Sequence, residues 1–148
     1  MQVDVNLFSY IKAKIVAGSQ AATERSESAN FALECWNILS ACTRTQPLWL
    51  PQFWKIAQSN FPDILLHDDI AVRCSAVRFL NSYANALNER TQGDADTQMT
   101  LSWWTTVIER YLQQATQDSD YQVRALACDC MSVISQDTFE SMAVSYTL

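Results

Sequence analysis

One apolar pattern occurs three times in this chain. Phe31, Cys35, Ile38, Leu39 and Cys42 stand at relative positions 0, 4, 7, 8 and 11. Val72, Ala76, Phe79, Leu80 and Tyr83 repeat that spacing, and Val123, Ala127, Cys130, Met131 and Ile134 repeat it again. At about 100° per residue, all five positions fall on one face of an α-helix. The copies lie 41 and 51 residues apart, a period typical of stacked repeat architectures. Three residues ahead of each stripe stands a helix-capping residue type: Ser28, Asp69 and Asp120. Their side-chain oxygens can accept the free amide protons of a first turn. Start signal and stripe therefore agree at all three sites.

Further helices are expected between these. Residues 4–17 carry Leu7, Phe8, Ile11 and Ile15 at helical spacing. Residues 48–66 carry Leu50, Phe53, Trp54 and Ala57, then Ile64 and Leu65. Pro51 suits the first turn of that helix, and Pro62 should kink or break it, because proline lacks an amide proton and clashes with the preceding turn. Residues 99–116 carry Leu101, Trp104, Val107, Ile108, Tyr111, Leu112 and Ala115. The chain thus reads as a single domain over 1–148, made of about three antiparallel helix pairs: 4–44, 48–90 and 98–135. Two polar stretches, Gly18 to Asn30 and Thr91 to Gln98, read as loops. The tail over 136–148 has a weak apolar pattern of Phe139, Met142, Val144 and Tyr146. A helix pair cannot bury both its faces alone, and arrays of pairs need polar ends. Both ends here are apolar, so the expectation is a piece of a longer array, with possible self-association through uncapped ends.

Composition narrows the partners. Only two glycines and three prolines are present, which disfavours turn-rich sheet folds. The ten basic and sixteen acidic residues leave a net charge of −6. A duplex-binding surface needs clustered cations to replace the counterions of phosphates, so nucleic acid is an unlikely partner. The five cysteines are odd in number. The N-terminus lacks a basic region followed by an apolar core, so no secretory signal is read there. Free thiols in a reducing compartment, cytoplasmic or nuclear, are expected. No apolar run approaches the roughly 20 residues needed to span a bilayer.

The second and third stripes begin DIAVRCSA (Asp69–Ala76) and DYQVRALA (Asp120–Ala127). Both contain Val-Arg-x-x-Ala followed by Leu80 or Met131, which resembles the HEAT repeat. The resemblance implies an all-α, right-handed helical-repeat solenoid of the armadillo-like class. Such a solenoid would serve as a non-catalytic scaffold that binds a protein or peptide on a concave surface. It also implies a ladder in which each arginine meets an aspartate about six residues earlier. Asp118 and Arg124 fit that ladder. His67 stands where the aspartate before Arg73 would be, and Ala32 stands where the first arginine would be.

Candidate chemistry is sparse. His67, Asp68 and Asp69 are consecutive and rarely converge on one ion, so they read as a polar turn ahead of a helix cap. Cys128 and Cys130 are two apart on a helix and point about 200° from one another, which suits packing rather than chelation. No nucleophile elbow, C-x-x-C pair or phosphate loop occurs. No catalytic residue, metal or cofactor is expected.

Trp54 and Trp104 belong to stripes and should be core, and Trp36 should pack on a neighbouring repeat. Trp49 and Trp103 point away from the stripes and are candidates for exposed contact, since aromatic residues anchor interfaces. Opposite the stripes stand Asn37, Ser40 and Arg44, then Arg78, Asn81 and Asn85, then Asp129, Ser132 and Gln136. The candidate binding residues are accordingly Asn37, Arg44, Arg78, Asn81, Asn85, Asp129, Trp49 and Trp103. Two other readings stand beside the scaffold. One is a nucleic-acid-binding or glycosylase-type module, which some HEAT-like folds are. The other is a set of structural spacer repeats in a larger solenoid.

Overall fold

The computed structural model describes residues 26–90 and 94–147, and these are helical with no strand among them. The helix expected over residues 4–17 and most of the loop after Gly18 lie outside the described residues. In order, the elements are α1 (Ser26–Thr45), a short 3-10 turn (Pro47–Trp49), α2 (Leu50–Gln58), α3 (Phe61–Ile64) and α4 (Ile70–Arg90). There follow α5 (Asp94–Val107), a π-helical turn (Ile108–Leu112), α6 (Gln113–Ala115), α7 (Tyr121–Met131) and α8 (Gln136–Thr147). No helix among the described residues is long and apolar enough to cross a membrane.

The three striped helices pack in chain order, α1 against α4 and α4 against α7. The intervening helices form a second layer, in which α5 packs against α8. Because α4 has a neighbour on each side, all five residues of its stripe are buried. At α1 and α7 the stripes are only partly covered. Ile38 is 43% exposed and Met131 39% exposed, contrary to the core positions expected for them. The two sit at adjacent stripe positions, on opposite flanks of their helices. An amphipathic pattern identifies the buried face, but only neighbours decide how wide that face becomes.

Aromatic rings join the two layers. Trp36 of α1 packs on Phe61 of α3 and Phe79 of α4, with ring centroids 5.0 and 5.5 Å apart. Trp54 of α2 meets Tyr83 of α4 at 5.5 Å and Trp103 of α5 at 5.4 Å. Each such pair contributes about 0.5–1.5 kcal/mol beyond its buried area.

Pro62 brings the expected break rather than a kink. The helix stops at Gln58, and α3 restarts with Pro62 in its first turn, where no amide proton is needed. The carbonyl of Ile56 accepts from the Asn60 side-chain amide at 2.8 Å and from the Ser59 hydroxyl at 3.0 Å. Proline leaves the Gln58 carbonyl without its helical donor, and the Tyr111 hydroxyl approaches it at 3.5 Å. The π turn at Ile108–Leu112 inserts extra backbone into the turn, and both Tyr111 and its neighbour Leu112 are buried.

Two expected loops are shorter than predicted. Residues 26–30 belong to α1, which places Ser28 inside the helix rather than at its cap. Residues 94–98 belong to α5. After Gly93 the sequence holds no further glycine or proline, so nothing halts that helix before it reaches its apolar stretch.

The turns ahead of α4 and α7 are built alike. The Asp69 amide donates to His67 Nδ1 at 2.9 Å, and the Asp120 amide donates to Asp118 Oδ1 at 2.9 Å. The carboxylates of Asp69 and Asp120 then accept from Ala71 and Gln122 amides, each at 2.8 Å. Arg73 Nη1 donates to the His67 carbonyl at 2.7 Å, and Arg124 Nη1 donates to the Asp118 carbonyl at 2.6 Å. Every residue of the first set lies 51 positions before its counterpart in the second. Arg73 also crosses to the next turn, where Nε and Nη2 meet Asp118 Oδ2 and Oδ1 at 3.0 and 3.1 Å.

Candidate interaction face

Helices α1, α4 and α7 turn their unburied sides outward from the aromatic core, and most of the polar candidates stand there. Asn37, Arg44, Arg78, Asn85 and Asp129 are exposed, and Asn81 is half-buried. The side chains of Arg44, Arg78 and Asp129 have no hydrogen-bond or ionic partner among the described residues. Asn85 is held back to its own helix, since its amide donates to the Asn81 carbonyl and side-chain oxygen, both at 3.0 Å. Ser40 departs from the expected open face. It is buried, with its hydroxyl donating to the Trp36 carbonyl at 2.9 Å.

Arg78 also touches the thiol chemistry beneath this face. Burial raises the Cys74 thiol above its ordinary range, and the positive charge of Arg78 partly opposes that shift. Near the C-terminal ends of α1 and α4, Thr43, Arg44, Leu48, Ala86, Glu89 and Arg90 line a groove of about 290 Å³. Arg44 thus belongs to a groove with a second arginine, a glutamate and the exposed side chain of Leu48.

The two tryptophans expected at the surface are placed elsewhere. Trp103 is 6% exposed, so it is a core residue and not an exposed contact. It stacks on Tyr83 at 5.0 Å with the rings 22° apart, and meets Trp54 and Trp104 edge-on. The expectation treated α5 as having one buried face. Rings from α2 and α4 cover a second one. Trp49 is half-buried and packs against the core from the 3-10 turn. Trp36 and Trp104 are fully buried, and Trp54 is half-buried against the same core.

Metal and thiol chemistry finds little geometry. Among the described residues no group of three or more His, Cys, Asp and Glu side chains could hold a metal ion. His67 and Asp69 are occupied with backbone amides in the turn. All five cysteines are free thiols, of which Cys128 is exposed and Cys35, Cys74 and Cys130 are buried. Burial pushes the Cys130 thiol up to about 12, far from a reactive thiolate.

The Arg73–Asp118 pair was missed in the sequence, where the ladder was placed at Asp118 and Arg124. The common spacing of His67–Arg73 and Asp118–Arg124 was the available signal, because it marks two turns of one design. A groove lies between these turns. It measures about 640 Å³ and is lined by Leu66, His67, Ile70, Arg73, Gln117 and Asp118 among others. Comparison of the chain with protein-family models, with curated proteins and with solved structures finds no match.

Proposed function

We propose that this chain is a HEAT-type α-solenoid segment that works as a non-catalytic scaffold, binding a protein or peptide along the outward face of α1, α4 and α7. The observation that carries the reading is the recurrence of one turn design at 51-residue spacing, bridged by Arg73 and Asp118. A recurring turn with a cross-turn ion pair suits pairs that stack in a constant register, as in helical-repeat proteins. Stacking of this kind offers a long, rigid surface at little further entropic cost on binding. Unpaired Arg44, Arg78 and Asp129 supply charges of both signs on that surface, which favours a mixed-charge polypeptide. The right-handed superhelix and the concavity of this face belong to the same proposal.

Affinity capture from cell lysate tests it, with wild type beside the double variant Arg78→Glu with Asp129→Arg. Both sites are exposed, so the variant should fold. A polypeptide retained by wild type and lost by the folded variant is the expected result. An unchanged captured set would remove binding from this face. Retention of nucleic acid, sensitive to salt, would replace the scaffold reading with the nucleic-acid one.

A further inference from the structure

A crevice of about 320 Å³ opens between α2 and α5, above α4. Trp54 and Gln58 of α2, Tyr83 of α4, and Met99, Ser102 and Trp103 of α5 are among the residues that line it. Helices of this chain bound it on both sides, so it lies inside the packing and not at an end of the stack. None of its lining residues carries a charge. Three of them are aromatic. Trp103 and Tyr83 stack on one another, and Trp54 stands edge-on to Trp103. Trp103 and Tyr83 are buried, whereas Trp54 is half-buried and keeps open ring surface. The Tyr83 hydroxyl is committed, donating to the Leu50 carbonyl at 3.0 Å. The Trp103 indole N–H is not committed: it is buried and has no acceptor among the described residues. A buried donor of this kind costs free energy until an acceptor reaches it. The Trp104 N–H is unpaired as well, but Trp104 is not part of the crevice wall.

We propose that this crevice binds an uncharged, planar small molecule of one or two rings that carries a carbonyl acceptor. Each part of that description follows from the wall. The volume lies at the small end of ligand sites, which limits the guest to one or two rings. The open surface of Trp54 favours a further ring, packed offset or edge-on as aromatic rings prefer. The Trp103 N–H calls for an acceptor, and a carbonyl supplies one without charge. An anion would lose its hydration and meet no counter-charge in the wall. A cation would face the positive end of the unpaired N–H. Trp103 Nε1 is itself closed off from solvent, so the guest reaches it once a lining side chain gives way. Met99 is 42% exposed, and its unbranched side chain is the adaptable one. The crevice uses other residues than the polar face of α1, α4 and α7, and neither reading depends on the other.

The probe is 1-indanone, a two-ring ketone, titrated to millimolar concentration into the full chain labelled with nitrogen-15. Indane is the matched control without the acceptor, and indane-1-carboxylate the matched control with a charge. The five tryptophans give separate indole N–H signals in a nitrogen–proton correlation spectrum, and Trp103→Phe assigns the one that matters. With 1-indanone the Trp103 signal is expected to move downfield of its position with indane, at least threefold further than the Trp104 signal moves. Both controls should bind at least fivefold more weakly. Ser102→Phe places a ring in the crevice from an exposed position, so it removes no packed partner and should weaken 1-indanone at least tenfold. Trp103→Phe keeps a ring but removes the donor, and should abolish the preference for 1-indanone over indane. A Trp103 signal that stays in place would overturn the proposal. Equal binding of 1-indanone and indane, or binding unchanged by Ser102→Phe, would do the same.

Discussion

The guanidinium of Arg73 holds both carboxylate oxygens of Asp118, 45 residues away in sequence, at 3.0 and 3.1 Å, with each side chain only 11% exposed. Asp118 Oδ1 also accepts the Asp120 amide, so one side chain closes a turn and joins α4 to the segment before α7. Asp118→Ala leaves Arg73 largely buried and half-paired. The expected loss is about 2–4 kcal/mol, measured as a shift in urea midpoint. Asp118→Asn keeps an acceptor for Asp120 and should cost roughly half as much. Equal losses for both substitutions would mean the charge contributes little.

His67 does in its turn what Asp118 does in the next, through Nδ1 instead of a carboxylate oxygen. His67→Asp retains an acceptor and should change stability by less than about 1 kcal/mol. His67→Ala leaves the Asp69 amide without its partner and should cost about 1–2 kcal/mol. Thermal unfolding of the two variants side by side checks the equivalence.

Trp103→Ala removes a ring that touches Tyr83, Trp54 and Trp104. The cavity should cost about 3–5 kcal/mol, with a change in the fluorescence of the remaining tryptophans. A loss below about 1 kcal/mol would restore Trp103 as a surface residue.

Alkaline pH should weaken the fold. Burial raises the Cys130 thiol from 9.0 to about 12, and the Tyr83 phenol is also raised by burial. Above pH 9 the unfolded chain releases the Cys130 proton while the folded chain keeps it. The unfolded state then binds fewer protons, and stability falls with rising pH at about 1.4 kcal/mol per unit for each such group. Stability is unaffected by Cys130 below its unfolded value and declines through the window from 9 to about 12. Urea midpoints at pH 8, 9.5 and 10.5 should show the decline, and Cys130→Ala should flatten part of it.

Much of the fold was legible because helices write their buried face into the sequence. The stripe of α4 was read correctly at all five positions, and Asp120 caps α7 as its type and place suggested. Turn lengths were less legible. Polar residues such as Asp94 and Asp96 are compatible with both loop and helix, and their neighbours decide between them. The π turn left no mark, since Tyr111 and Leu112 also fit a regular helix. Of the candidate contacts, Asn37, Arg44, Arg78, Asn85 and Asp129 are exposed, whereas Trp103 is enclosed and Asn81 half-enclosed.

The sequence by itself determined an all-helical chain, the buried face of its striped helices, and the arginine that follows two of its turns. These properties depend on local spacing, which one helix sets alone. Only the tertiary structure decided that Arg73 pairs with Asp118 across 45 residues, that Trp103 is core, and that Cys128 and Met131 stand open while Val77 and Leu80 do not. Those outcomes depend on which helix lies alongside. The same stripe position is interior on α4, which has two neighbours in its layer, and surface on α7, which has one among the described residues.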